Sequence, residues 1–316
     1  MPRASSGLLP TLLKRELIVV TGKGGVGKTT IAAALARLLS DAGRRVLLLE
    51  IDPRESLHQL LGTEPSGGSI VKATPKLSVQ NLQPQKVVES LVREKVPLPL
   101  LAKKIVASSI FQHFAGGAPG LKEMSILGYA LRTVEGDYKH KADVVVLDAP
   151  ATGHGASMLA APLLLADLVG GGQIGEMSAS LARFIADPKR CGVVLTTLAE
   201  EMPVQELAEL VALLEERIGR PPELVVVNGL YPEFPGGRTA RRQGTRGDGG
   251  PVDPASGWSP DQLATLWRDR RAVNDRELER LGRIWKGARA EMPLLALDRG
   301  PALLEAMTAL LGEALA

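Results

Sequence analysis

Cysteine is almost absent from this chain: Cys191 is the only one in 316 residues. A single thiol closes no intrachain disulfide, and a zinc site built from four cysteines would need several chains. It precedes the apolar run Val193-Val194-Leu195, where a small buried hydrophobe is the expected role. Aromatic residues are also scarce, at 3% of the chain, so the apolar content is aliphatic and suits helices packed on a buried sheet. No apolar run approaches the length needed to span a bilayer; Leu163-Leu164-Leu165-Ala166 stops at Asp167. Stable membrane insertion is not expected. Arg3 and a weak apolar patch broken by Pro10 leave little room for a cleaved signal before the first strand, so the chain reads as cytoplasmic. A formal charge of +3 is too small to argue for nucleic acid as a partner. Its local source is Arg238, Arg241, Arg242 and Arg246, which lie among glycines and read as a solvated loop, with a polyanion patch as the alternative.

What is present is a glycine loop. Gly22-Lys23-Gly24-Gly25-Val26-Gly27-Lys28-Thr29-Thr30 follows the apolar run Leu17-Ile18-Val19-Val20 and precedes an Ala/Leu-rich helical pattern from Ile31 to Leu39. Strand, glycine loop, helix is the context of a phosphate-binding P-loop. The glycines let consecutive amides turn inward on one anion, and the following helix adds its positive end. Lys28 would reach the β- and γ-phosphates of a nucleotide, and the Thr29 hydroxyl would bind Mg²⁺. Lys23 is a second lysine that an ordinary P-loop lacks.

Further apolar runs recur at 46–49, 144–147, 193–195, 224–227 and 294–297, with helical patterns between them. This alternation predicts an α/β fold with a doubly wound, mostly parallel sheet. Asp52, Asp148, Thr196 and Asn228 sit just after the runs, so they converge at the strands' carboxyl ends, where such sheets bind ligands. Asp148 is placed like a carboxylate that holds Mg²⁺ through water; a helix N-cap is its other reading. Asp52-Pro53 is also ordinary turn chemistry. Residues 84–140 and 156–190 read as helices, with Val106, Ile110 and Phe114 on one face. Residues 232–257, rich in Gly, Pro and Arg, read as a flexible loop. Leu278, Leu281, Trp285 and Ala288 repeat at helical spacing, with Trp285 as packing. The whole chain, 1–316, is expected to be one domain.

The loop with its extra lysine resembles the deviant Walker A sequence of the ArsA/Get3 ATPases. Four further stretches carry the resemblance, in family order: Ile51-Asp52-Pro53-Arg54-Glu55-Ser56-Leu57, like switch I; Pro119-Gly120-Leu121-Lys122-Glu123; Asp148-Ala149-Pro150-Ala151-Thr152-Gly153-His154-Gly155, like switch II; and Thr197-Leu198-Ala199-Glu200-Glu201-Met202-Pro203. The resemblance implies a P-loop ATPase whose two helical stretches form an inserted subdomain above the sheet. It implies that Asp52 orients or deprotonates the attacking water, that Thr152, Gly153 and His154 sense the nucleotide, and that Asn228 recognises adenine. It also implies that Lys23 crosses a dimer interface to the partner's phosphates. One departure is visible: the family usually has Thr directly after the switch II aspartate, where this chain has Ala149.

The resemblance leaves the use of the energy open. One cysteine cannot supply a trigonal thiolate site for arsenite, a CxxC zinc clasp or the ligands of an iron–sulfur cluster. The expected activity is Mg²⁺-dependent ATP hydrolysis by a dimer, formed with a copy of itself or with a related ATPase, coupled to a client or membrane partner. The alternatives are a positioning ATPase of the MinD/ParA type, against which the cation-poor end from Ala302 to Ala316 counts, and a nucleotide-binding subunit that regulates a second ATPase. The sequence has no Asn-Lys-x-Asp guanine reader, which favours ATP over GTP.

Overall fold

The computed structural model describes residues 7–52, 54–109, 111, 120–137, 140–150, 154–169, 172–233 and 259–316. Its strands are β1 (Leu17–Gly22), β2 (Val46–Glu50), β3 (Val71–Lys72), β4 (Leu77–Asn81), β5 (Val144–Asp148), β6 (Cys191–Leu198), β7 (Leu224–Leu230) and β8 (Arg289–Pro293). They form one sheet in the order β3-β4-β2-β5-β1-β6-β7-β8. Every pairing is parallel except β3 with β4. The expected doubly wound α/β sheet is therefore the observed one, with β1 at its centre.

The continuous aliphatic runs follow from burial on both faces. Along β1, Leu17 and Val19 enter one core while Ile18 and Val20 enter the other. The second core is closed by α1 (Leu9–Leu12), α2 (Lys28–Asp41), α3 (Leu57–Leu61) and α11 (Pro301–Leu315). The first is closed by α4 (Pro84–Lys95), α6 (Leu121–Glu135), α7 (His154–Val169), α8 (Gly172–Ala186), α9 (Glu201–Ile218) and α10 (Pro260–Ile284). A further helix, α5 (Pro99–Ala107), follows α4. Apart from α5, the helices in the stretches 84–140 and 156–190 thus share one core with a face of the sheet. Val106 is buried, as is Cys191 in β6; Ile110 and Phe114 lie outside the described residues.

Two expectations are corrected. The last strand is Arg289–Pro293, not 294–297: Ala290 and Met292 are buried, Arg289 and Glu291 pair at 2.8 Å, and Leu294 and Leu297 are exposed. An edge strand alternates, so a search for continuous apolar runs misses it. Leu77–Asn81, an inner strand buried throughout, is not legible as a run either, because Ser78, Gln80 and Asn81 interrupt it. The helical repeat ends at Ile284; Trp285 packs on the first core as its C-cap, while Ala288 lies beyond the helix and packs on the second. Residues 234–258, most of the expected flexible loop with its four arginines, lie outside the described residues.

Gly22 closes β1 at φ +147°, and a Cβ there would meet the Thr196 carbonyl oxygen at 2.1 Å. At Gly25, with φ +83°, nothing lies within 4 Å. Gly25→Ala should therefore cost only backbone strain, about 1–2 kcal/mol. Gly22→Ala must also push two central strands apart and should cost at least about 3 kcal/mol. Urea unfolding of the two variants checks this; equal shifts would contradict so close a strand approach.

Candidate active site

Strand register brings the polar residues together. Glu50 at the end of β2 stands beside Asn81 of β4 on one side and Asp148 of β5 on the other, and Asp148 stands beside Val20 of β1. The glycine loop emerges from β1 over this row. A cavity of about 490 Å³ opens there, lined by Gly24, Gly25, Lys28 and Thr29 of the loop, by Asp52 and Asp148, and by Arg299 from the segment before α11. Its size suits a small-molecule site.

Lys28 begins α2 and is buried, and its Nζ donates to the Lys23 carbonyl at 2.8 Å. Burial lowers its pKa, and the Asp148 charge opposes that shift. The Thr29 hydroxyl donates to Asp148 Oδ2 at 2.7 Å. Burial pushes the Asp148 carboxyl up to about 7, and repulsion from Glu50 and Asp52 adds to the shift; the Thr29 hydrogen bond and Lys28 pull the other way. Its Oδ1 is buried with no hydrogen-bond partner among the described residues. A hydroxyl beside a carboxylate with an unpartnered oxygen is a hard-oxygen donor set, and it fits Mg²⁺ with its waters.

Gly27 caps α2 at φ +87°, and a Cβ there would meet the Asn228 amide nitrogen at 2.3 Å. Asn228, in β7, donates through that nitrogen to the Val26 carbonyl at 3.0 Å. It braces the loop from below. Lys23 reaches sideways, its Nζ 2.5 Å from Glu206 Oε1 on α9 of the same chain, with both side chains partly exposed.

Asp52 is exposed, and its Oδ1 accepts the Arg54 amide at 2.9 Å in a local turn. The segment after it is held from outside. Buried Glu50 accepts the Ser56 amide and hydroxyl, each at 2.7 Å, and Arg299 donates to the Ser56 carbonyl at 3.2 Å. Asn81 Nδ2 donates to the Asp52 carbonyl at 2.6 Å. The structure thus brings together Lys28, Thr29, Asp52 and Asp148 at the cavity and Asn228 beneath it. Thr152 and Gly153 lie outside the described residues, as do Pro53 and Pro119; His154 is the first residue of α7.

The family model described as anion-transporting ATPase matches residues 15–184. The chain belongs to that ATPase family. ATPase BagA of Mycobacterium tuberculosis is 32% identical over 228 residues, 69% of this chain and 66% of that protein. The arsenical pump-driving ATPase of Acidiphilium multivorum is 29% identical over 231 residues, 67% of this chain but 39% of the pump protein. The ATPase ASNA1 homolog 1 of Paramecium tetraurelia is 27% identical over 155 residues, covering 47% and 44% of the two chains. The match to each relative thus spans less than two thirds of that relative's length.

Sequence reasoning missed Glu50, Asn81 and Arg299. Glu50 was visible as the charge that ends the run Val46–Leu49. Asn81 was hidden with its alternating strand. Arg299 had no local signal: α11 packs on α2 and α3, and only that packing carries the preceding residue across to Ser56.

The raised Asp148 pKa has a definite sign. Between its ordinary 3.8 and about 7, the folded chain binds a proton that the unfolded chain has released. Stability in EDTA should therefore fall as pH rises through that window and level off above it. Asp148→Asn removes the titrating group. Its urea midpoint should exceed the wild type's most at pH 8 and by least near pH 4. A pH-independent difference would contradict the assignment.

Proposed function

We propose that the chain is a cytoplasmic, Mg²⁺-dependent ATPase that works as a dimeric nucleotide switch. The observation that carries this reading is the constellation at the 490 Å³ cavity: the glycine loop, the Thr29–Asp148 pair with its unpartnered oxygen, and the exposed Asp52 facing them. The amides from Gly24 to Thr30, the end of α2 and Lys28 bind the β- and γ-phosphates. Thr29 and, through water, Asp148 hold Mg²⁺, which supplies charge neutralisation on the phosphate oxygens. Asp52 accepts the proton of the attacking water as the oxygen bonds to the γ-phosphorus and ADP leaves. Asn228, beside the loop, contacts the base and sets the preference for ATP. Thr152, Gly153 and His154 transmit the nucleotide state along α7.

Lys23 completes the site from the partner subunit. In one protomer it pairs with Glu206, and a partly exposed pair of this kind is cheap to exchange, at about 1 kcal/mol or less. A cation delivered in trans accelerates phosphoryl transfer by roughly three to five orders of magnitude. The partner is a second copy or a related ATPase, and the switch drives a client or pump. The names of the relatives support that class of use.

Three variants test the reading. Lys28→Ala should abolish the thermal protection that MgATP confers; retained protection would remove the phosphate assignment. Asp52→Asn keeps the acceptor of the local turn, so MgATP should still bind while turnover falls by about 10²-fold or more. Mixing Lys23→Ala with Lys28→Ala subunits should restore one working site per mixed dimer, judged against wild type mixed with Lys28→Ala. If that control is active and the mixture of variants is not, Lys23 acts within its own chain.

A further inference from the structure

We infer that Asn81 is a positioning residue for Asp52: from the end of a neighbouring strand it fixes the main chain of the candidate base. The inference rests on the base role given to Asp52 above. Asp52 is exposed, and among the described residues its carboxylate accepts one hydrogen bond, from the Arg54 amide of the turn it starts. That turn is strained, since Glu55 within it has φ +45°, the one positive value at a non-glycine among the described residues. The Glu55 amide bonds the Asp52 carbonyl at 3.1 Å, and the Glu55 carboxylate is spent on the Ser66 and Gly67 amides. A turn of this kind needs support from outside it. Glu50 and Arg299 supply that support at Ser56, four residues further on.

Asn81 supplies it at Asp52 itself. Its side chain is buried, with 4% exposure, and its Nδ2 lies 2.6 Å from the Asp52 carbonyl. The Asn81 backbone is fixed in turn by pairing with Glu50 in β2 and by the hydrogen bond that its N–H donates to Ser66 Oγ at 2.8 Å. Next to it, Gln80 is held by the Tyr129 hydroxyl on α6 and by the Gly68 carbonyl. The donor is therefore rigid, and the acceptor is the residue whose position sets the attack geometry. Asn81 does not line the phosphate cavity; it lines an adjoining one with Glu55 and Lys122. Its loss should disturb the water-activating step and leave phosphate binding alone. Displacement of a reacting group by about 1 Å costs on the order of 10²-fold in rate.

The test compares steady-state kinetics and MgATP affinity for Asn81→Asp, Asn81→Ala, Asp52→Asn and the double variant Asn81→Ala/Asp52→Asn. Asn81→Asp keeps the shape and loses the donor, so it reports even if the alanine variant folds poorly. Turnover should fall about 10- to 100-fold in both Asn81 variants, with KM and Kd for ATP within about threefold of wild type. The double variant should be no slower than Asp52→Asn alone, because a positioning residue has nothing left to position. Wild-type turnover in Asp52→Asn would end the base reading, and this inference with it. An inactive Asp52→Asn beside fully active Asn81 variants would overturn the positioning role only. So would a raised KM at unchanged kcat, or losses that multiply in the double variant.

Discussion

At Gly22 the backbone of β1 lies so close to the Thr196 carbonyl of β6 that no Cβ fits between them. The rest of the site depends on that approach. β1 is the central strand, and its pairing with β6 on one side and β5 on the other sets the height at which the glycine loop leaves the sheet. The same height places Val20 beside Asp148, so the carboxylate sits under Lys28 and Thr29. On the other side of the loop, Asn228 of β7 occupies the space that a side chain at residue 27 would need. Two glycines are thus demanded by neighbouring strands, apart from any demand by a ligand.

Negative charge gathers at the carboxyl edge, and its disposal differs by residue. Glu50 is buried, but the Ser56 and Leu57 amides and the Ser56 hydroxyl absorb its charge. Its role is to anchor the segment after β2. Asp148 is buried with one hydroxyl bond and one bare oxygen, so its proton is held up to about neutral pH. A divalent cation would reverse that preference. Asp52 avoids the problem through exposure and depends on Asn81 for its place. One edge of one sheet therefore holds an anchor, a buried carboxyl with one open oxygen and an exposed acid.

The opposite edge is built for permanence. Arg15 binds both carboxylate oxygens of Glu223, at 2.6 and 3.0 Å, and Arg190 pairs with Glu16 at 2.6 Å. These planar pairs tie the entrance of β1 to β6 and to the turn before β7, away from the cavity. Cys191 is buried beside them, and burial lifts its thiol to about 11, which makes it inert at neutral pH. Among the described residues no helix is long and apolar enough to cross a membrane.

The sequence by itself determined the loop, the parallel sheet and the four polar residues Asp52, Asp148, Thr196 and Asn228 in the carboxyl-terminal parts of its strands or just beyond them. Those signals are local: a glycine needs its φ within a few residues, and a strand buried on both faces favours a continuous aliphatic run. It also carried the family, through short motifs kept in order. Alternating strands were not legible, because five residues with a polar middle suit a loop as well as a strand, so β4 and β8 were missed or misplaced. Asn81 and Arg299 share a deeper reason. Each bonds the segment from Asp52 to Ser56 only once β4 and α11 have packed, and they lie 29 and 243 residues from their acceptors. Hydrogen bonds between distant elements leave no periodicity in the chain, so only the tertiary structure decided what holds the candidate base in place.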